Sequence, residues 1–157
     1  MTNECIPLKS AAYTRVITVH CTAGVTGKKF VAAVSGRQSG GLAGLAADPL
    51  AAGDGSDYIT AGPPAANGDV EGVAMWDVAA GGKCPVISGD GTIVPVTAGT
   101  GGVTAGALVA VDNTGAVVAV AQTAAGSQPA KWVVGKALTA AAAGADAEVE
   151  LCDPFLY

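Results

Sequence analysis

The sequence has few of the residues that enzyme active sites use. Only 4% of its 157 residues are aromatic and 13% are charged, and the one histidine is His20. A catalytic dyad or triad would need that histidine beside a serine or cysteine and an orienting carboxylate. The adjacent Cys21 would point to the opposite face of the strand that the surrounding pattern predicts. We therefore expect no catalytic residues and no enzymatic activity.

Metal and cofactor motifs are also missing. The four cysteines are far apart in the sequence and form no C-x-x-C, so neither a zinc site nor a redox motif is indicated. The glycine-rich stretches AGVTGKKF and GTGGVTAG lack the spacing of a phosphate-binding or dinucleotide-binding loop. We expect no metal and no cofactor. The cysteines should be small buried hydrophobic residues: Cys5, Cys21, Cys84 and Cys152.

Long apolar runs are absent as well. No segment approaches the roughly 20 apolar residues that a membrane-spanning helix needs. The opening stretch MTNECIPLKSAAYTR has no apolar core behind a basic start, so it does not have the pattern of a secretory signal. The expectation is a soluble protein made in the cytoplasm, without a membrane partner.

Positive charge is scarce and unevenly placed. The net charge is −5, but residues 1–37 carry +4, since five cations there face Glu4 alone, and the remaining residues carry −9. Binding to duplex nucleic acid needs clustered lysine and arginine, so the acidic body argues against a nucleic-acid partner. The basic amino-terminal region could instead meet an acidic protein surface.

What the sequence has in quantity is glycine, alanine and valine, arranged as short strands and turns. Alternation over residues 15–23 puts Ile17, Val19 and Cys21 on one face, which predicts a half-buried strand, with KKFVAAV as the returning strand. The turns SGDG (88–91) and DNTG (112–115) each predict a hairpin. The stretches GVAMWDVAAGGKCPV and GKALTAAAAGADAEV repeat each other 63 positions apart, and the hairpins repeat at an offset of 24.

These patterns predict an all-β fold, a small β-barrel or β-sandwich built from short hairpins, with an extended N-terminal arm. Residues 1–13 form the arm in this interpretation, because Pro7 donates no hydrogen bond and suits an extended segment lying on another surface. Residues 14–151 form the β domain, with a long Gly/Ala-rich loop at 36–57. Residues 152–157 form a C-terminal tail beyond the last strand.

Four stretches carry a resemblance to a known family: NECIPL (3–8), HCTAGVTGKKFVAAVSG (20–36), GVAMWDVAAGGKCPV (72–86) and VVGKALTAAAAGADAEVELCDPF (133–155). Together they resemble capsid decoration, or cement, proteins of tailed bacteriophages, nearest to those of phages that infect actinobacteria. The resemblance implies a structural virion protein on the outer surface of the capsid. It implies binding to the major capsid protein, often as a homo-trimer, and stabilisation of the expanded head by bridging capsid subunits.

Within that interpretation the amino-terminal region is expected to contact the capsid. Ile6 and Leu8 would pack on the shell while nearby cations face acidic capsid groups; the cations are Lys9, Arg15, Lys28 and Lys29. Trp76 and Trp132 are either core anchors or subunit-interface residues, since buried aromatics serve both. The alternative function is another β-structured virion component, a tail-tube or fibre module, or a carbohydrate-binding surface module.

Overall fold

The structure, a computed structural model, describes residues 4–38, 58–120 and 131–156. These residues form ten β-strands and no helix, so the all-β prediction is confirmed. The strands are β1 (Arg15–Cys21), β2 (Phe30–Gln38), β3 (Tyr58–Gly62), β4 (Gly72–Ala74), β5 (Lys83–Ser88), β6 (Ile93–Thr97), β7 (Leu108–Val111), β8 (Val117–Ala119), β9 (Trp132–Ala137) and β10 (Asp146–Leu156).

The first five strands close into a barrel in the order β1-β3-β2-β4-β5, with β5 pairing back onto β1. The β1–β3 pair is parallel and the other neighbours are antiparallel. A five-stranded barrel encloses little space, so small side chains are needed to fill it. The sequence supplies them: the buried interior consists of Val19, Cys21, Val25, Val31, Ala61, Ala74, Cys84 and Val86.

The last five strands form a second sheet that repeats the strand order of the barrel. Its order is β6-β10-β9-β7-β8, so that β6 takes the place of β1 and β10 the place of β5. A parallel bridge between Ala98 and Val117 brings the end of β6 beside β8, as β1 lies parallel to β3 in the barrel. The two halves of the chain therefore share one topology.

Individual hydrogen bonds repeat between the two halves. Val25 and Val78 exchange main-chain bonds of 2.9 and 3.0 Å in the barrel, and Val103 and Ala141 exchange bonds of 2.9 and 3.0 Å in the second sheet. Val78 and Ala141 are 63 positions apart, which is the offset of the sequence repeat. The repeat thus marks a tandem duplication of a five-stranded unit.

One outer face of the barrel packs against the second sheet. Phe30, Val73 and Ile87 lie in register on neighbouring strands, and all three are buried in the same cluster as the core of the second sheet. Polar contacts join the halves at the side of this interface. The Lys28 ammonium lies 2.7 Å from the Asp146 carboxylate, and the Thr97 amide donates to the Lys28 carbonyl at 2.9 Å.

Of the three predicted hairpins, one is present. The DNTG turn joins β7 to its antiparallel neighbour β8, and its first residue, Asp112, accepts bonds from the amides of Thr114 and Ala116 at 2.8 and 3.1 Å. The SGDG turn instead carries the chain from the barrel into the second sheet, so β5 and β6 do not pair. The strands β1 and β2 are also separated, because β3 lies between them. The two stretches offset by 24 residues were both predicted to be hairpins, and only the second of them is one.

Two predicted boundaries need correction. Residues 152–156 are not a tail beyond the last strand, because they continue β10 and pair with β9, Phe155 lying opposite Val133. Residues 36–38 belong to β2 rather than to the predicted loop. The rest of that loop, residues 39–57, lies outside the described residues.

Candidate functional site

The amino-terminal arm lies on its own chain rather than reaching away from it. The Cys5 side chain is fully buried in the core of the second sheet, and the Cys5 amide donates to the Met75 carbonyl at 2.7 Å. Further along, the Leu8 amide donates to the Ile93 carbonyl at 2.8 Å, and the Ile93 amide donates to Lys9 at 2.9 Å. The arm is therefore part of the fold, and only its outward side is available to a partner.

That outward side is apolar. Ile6 is 63% exposed and Leu8 57%, and the neighbouring Tyr13 and Val16 are 79% and 55% exposed. Four large apolar side chains within eleven residues make this the part of the described chain where exposed apolar groups are densest. We call the exposed residues of this segment the docking strip: Ile6, Leu8, Lys9, Tyr13, Arg15 and Val16.

The sequence predicted half of the apolar strip and missed the other half. Ile6 and Leu8 were expected to face outward because they flank Pro7 in an extended arm. Val16 was missed although it lies on the face of β1 opposite to Ile17 and Val19, so the alternation of β1 was a usable signal. Tyr13 carried no such signal, because its exposure depends on the path that residues 11–14 take beside Gly89 and Thr92.

The predicted cations divide into two groups. Lys9 and Arg15 are exposed on the docking strip, and the Arg15 guanidinium donates to the Ser88 hydroxyl at 3.3 Å. Lys28 is instead bound to Asp146 within the chain. Lys29 is half-buried, and its ammonium lies 3.5 Å from the Thr114 hydroxyl. We leave Lys28 and Lys29 out of the docking strip for these reasons.

The two tryptophans lie in different settings, and neither belongs to a core cluster. Trp76 is 43% exposed and follows Met75, whose carbonyl binds the arm at Cys5. Trp132 is half-buried at the start of β9, and its amide donates to the Asn67 carbonyl at 3.2 Å. Trp76 is therefore not a core anchor, and its partly exposed side chain is available to a partner.

A cleft of about 480 Å³ lies between the barrel and the second sheet, beside the docking strip. Tyr13 and Arg15 line it together with three carboxylates, Glu71, Asp90 and Asp153. The surface next to the strip is therefore acidic on balance. These groups can form ion pairs and hydrogen bonds with a protein partner.

The described residues offer little that could form a metal site or an acid–base catalytic site. No group of three or more His, Cys, Asp or Glu side chains there is placed to hold a metal ion. Three of the four cysteines are buried as predicted, Cys152 is half-buried, and all four are free thiols. Burial raises the pKa of Cys5 to about 12 and those of Cys21 and Cys152 to about 11, so these thiols stay protonated at neutral pH.

No helix in the described part of the chain has the length and hydrophobicity to span a membrane.

Comparison with known proteins gives a likeness of fold. No family model matches the chain, and no curated protein matches it. The crystal structure of the N base of head fiber gp8.5 in bacteriophage phi29 superposes with a TM-score of 0.61. The match covers 92% of this chain and 98% of that one, at 18% sequence identity. The two chains share a fold.

Proposed function

We propose that this protein is a structural virion component that binds the outer surface of a phage head through the docking strip. The observation that carries the proposal is the concentration of exposed apolar residues and two cations in one segment of an otherwise acidic, alanine-rich surface. The fold shared with a phage head fiber base supports a virion role. The resemblance of the four sequence stretches to capsid decoration proteins supports the same class.

The strip has the chemistry of a protein contact. Burying a large apolar side chain yields about 1.5–3 kcal/mol, so Ile6, Leu8, Tyr13 and Val16 could together supply most of a modest affinity before the cost of association. Lys9 and Arg15 would steer the strip towards carboxylates on the partner. The acidic remainder of the chain would keep free copies apart until they meet the shell.

In this proposal the partner is the major capsid protein, and the protein acts as a homo-trimer that bridges capsid subunits. Three linked copies would hold the shell more firmly than one, because each further contact is effectively intramolecular. Trp76 and Trp132 are the proposed contacts between copies. The protein would act without catalysis, since its task is to brace a surface.

A matched pair of substitutions tests the docking strip. Leu8→Asp places a charge in the proposed contact, whereas Val34→Asp places the same charge on another exposed apolar residue, 46% exposed on β2. Heads of the parent phage that lack this protein are mixed with each variant and sedimented. We expect Leu8→Asp to bind at least tenfold more weakly and Val34→Asp to bind as the unmodified chain does. Equal binding by the two variants would refute the role of the strip.

A second candidate is a fibre module, favoured by the fold shared with the phi29 head fiber N base. A fibre base would anchor a further, projecting structure, whereas a cement protein would cover the shell by itself. Quantitative mass spectrometry of purified heads and tails separates the two candidates. Many copies on heads and none on tails are expected for a cement protein, and a low copy number would favour the fibre module.

A further inference from the structure

Two of the four free thiols lie together inside the barrel. Cys84 lies opposite Val19 in the pairing of β5 with β1, and Cys21 lies two positions beyond Val19 on the same inner face. Both cysteines are fully buried in the cluster that fills the barrel. Their side chains are hydrogen-bonded to each other. The two sulfur atoms therefore face each other across the seam where β1 and β5 close the barrel.

The internal duplication identifies the site that corresponds to Cys84. In the second sheet Val96 of β6 lies opposite Ala147 of β10, as Val19 lies opposite Cys84 in the barrel. Cys84 and Ala147 are 63 positions apart, which is the offset of the sequence repeat. The second sheet thus has alanine at the equivalent of Cys84.

The site that corresponds to Cys21 follows from its main-chain bonds. The Cys21 amide donates to the Gly82 carbonyl at 2.9 Å, and the Ala98 amide donates to the Ala145 carbonyl at 2.8 Å. Gly82 and Ala145 are again 63 positions apart, so Cys21 corresponds to Ala98. The second sheet has alanine here too.

The two positions therefore carry cysteine together in one unit and alanine together in the other. Ala98 and Ala147 are almost as deeply buried as the cysteines, at 2% and 1% exposure. Packing at these positions needs only a small apolar side chain, which alanine supplies. What the barrel gains from the cysteines is a pair of sulfur atoms in contact.

We propose that Cys21 and Cys84 are a redox pair, which a small disulfide such as oxidised glutathione converts into a disulfide bond between β1 and β5. One thiol loses its proton and attacks the small disulfide, which forms a mixed disulfide and releases one glutathione. The second thiol loses its proton and attacks the protein sulfur of the mixed disulfide, so the Cys21–Cys84 bond forms and the second glutathione leaves. Two protein thiols are oxidised, one small disulfide is reduced, and the released thiolates take up the two protons.

Burial governs when the pair reacts. It raises the pKa of Cys21 to about 11, with the neighbouring Cys84 adding to the effect, and it raises the pKa of Cys84 as well. Because the attacking species is the thiolate, the closed barrel reacts slowly, and the bond forms as the strands open or as the chain folds. A bond across the loop from residue 21 to residue 84 restricts the unfolded chain and so stabilises the barrel.

Refolding in a redox buffer tests the pair without relying on access to the closed barrel. The reduced, unfolded protein is refolded in an excess of oxidised over reduced glutathione, the remaining thiols are alkylated, and the bonds are mapped by mass spectrometry of peptides. We expect a disulfide between Cys21 and Cys84, with Cys5 and Cys152 alkylated. No bond between the first two, or a bond that involves Cys5 or Cys152, would overturn the proposal.

Thermal unfolding of the oxidised and reduced forms measures the effect of the bond. The oxidised form should unfold about 5 °C or more above the reduced form. Cys84→Ala should remove this difference and still fold, because the second sheet has alanine at the equivalent site. Cys152→Ala is the matched control, since it removes a thiol outside the pair and should keep the difference. Equal midpoints for the oxidised and reduced unmodified protein would refute the stabilising role of the bond.

The proposed function supplies the setting for this reaction. A virion that is released from its host leaves the reducing cytoplasm, where thiols stay reduced. On that basis we expect the bond in protein from released particles and free thiols in protein taken from the cell before lysis. A bond that forms in the redox buffer but is absent from released particles would refute this setting and leave the redox pair in place. Failure of the protein to bind heads would refute the proposed function without bearing on the bond, so the two failures are distinguishable.

Discussion

At the scale of single residues, the free thiols of this protein have a consequence for its pH stability. Burial raises the pKa of Cys5 from 9.0 to about 12, with Lys28 opposing and Asp146 adding to the effect. Above pH 9 the unfolded chain loses this proton while the folded chain retains it, so the stabilising contribution is full below pH 9 and is lost as the pH rises towards 12.

We therefore predict that the free energy of unfolding falls by about 1.4 kcal/mol per pH unit for this thiol between pH 9 and 12. Urea unfolding at pH 8 and pH 10.5 measures the fall, and the Cys5→Ala variant is the control because it lacks the thiol. The variant should show a shallower decline than the unmodified chain. Identical declines would mean that Cys5 is accessible to hydroxide in the folded protein.

At the scale of strands, the alternation of apolar residues predicted which segments extend but not always what they pair with. β1 was predicted because Val19 and Cys21 alternate with polar residues, and the hairpin at 112–115 because Asp112 and Gly115 suit its turn. The sequence of a turn specifies a local change of direction. Whether the next strand pairs with the previous one depends on distant partners, and at 88–91 those partners are β1 for β5 and β10 for β6.

The interface between the halves shows how the two copies of the unit differ. Val73 and Ile87 form a buried cross-strand pair in the barrel, and the equivalent pair in the second sheet is Lys136 and Glu150. The same backbone position thus carries apolar groups where it is covered by the other half and charged groups where it is not. This substitution explains why the 63-residue repeat is clear in alanines and glycines but not at these positions.

Substitutions at Ile87 and Glu150 test whether the first position is covered by the other half of the chain and the second is not. Ile87→Glu would bury an unpaired carboxylate in the interface, and we predict a loss of more than about 3 kcal/mol of unfolding free energy. Glu150→Ile, the reverse change at the equivalent site, should alter stability by about 1 kcal/mol or less. Urea denaturation of both variants measures the difference. Similar losses in the two variants would show that the two faces do not differ in burial.

At the scale of the whole molecule, the docking strip could be only partly predicted from the sequence. The apolar arm was visible, since Ile6, Pro7 and Leu8 stand together near the start of the chain. Its attachment was not visible, because it depends on the edge of β6 and on the pocket that receives Cys5, both formed by residues far along the chain. The ion pair between Lys28 and Asp146 was not visible either, because the two residues are far apart in the sequence. Lys28 was therefore expected to face a partner.

The position of the arm changes what its removal should do. An arm lying only on another protein could be deleted without harm to the fold. Here, deletion of residues 2–9 would empty the space that Cys5 fills and uncover the edge of β6, and we predict a loss of several kcal/mol of unfolding free energy. Thermal unfolding of the truncated and full chains measures it. Equal midpoints would show that the arm is dispensable to the fold.

The proposed function requires that this protein attaches to the outside of a phage head through the docking strip. A cryo-electron microscopy reconstruction of heads of the parent phage, decorated with the unmodified protein, would show which surface of the protein contacts the shell. We expect density for the two-part β body outside the shell, with four side chains turned towards the major capsid protein: Ile6, Leu8, Tyr13 and Val16. A reconstruction in which these side chains face solvent while another surface contacts the capsid would contradict it.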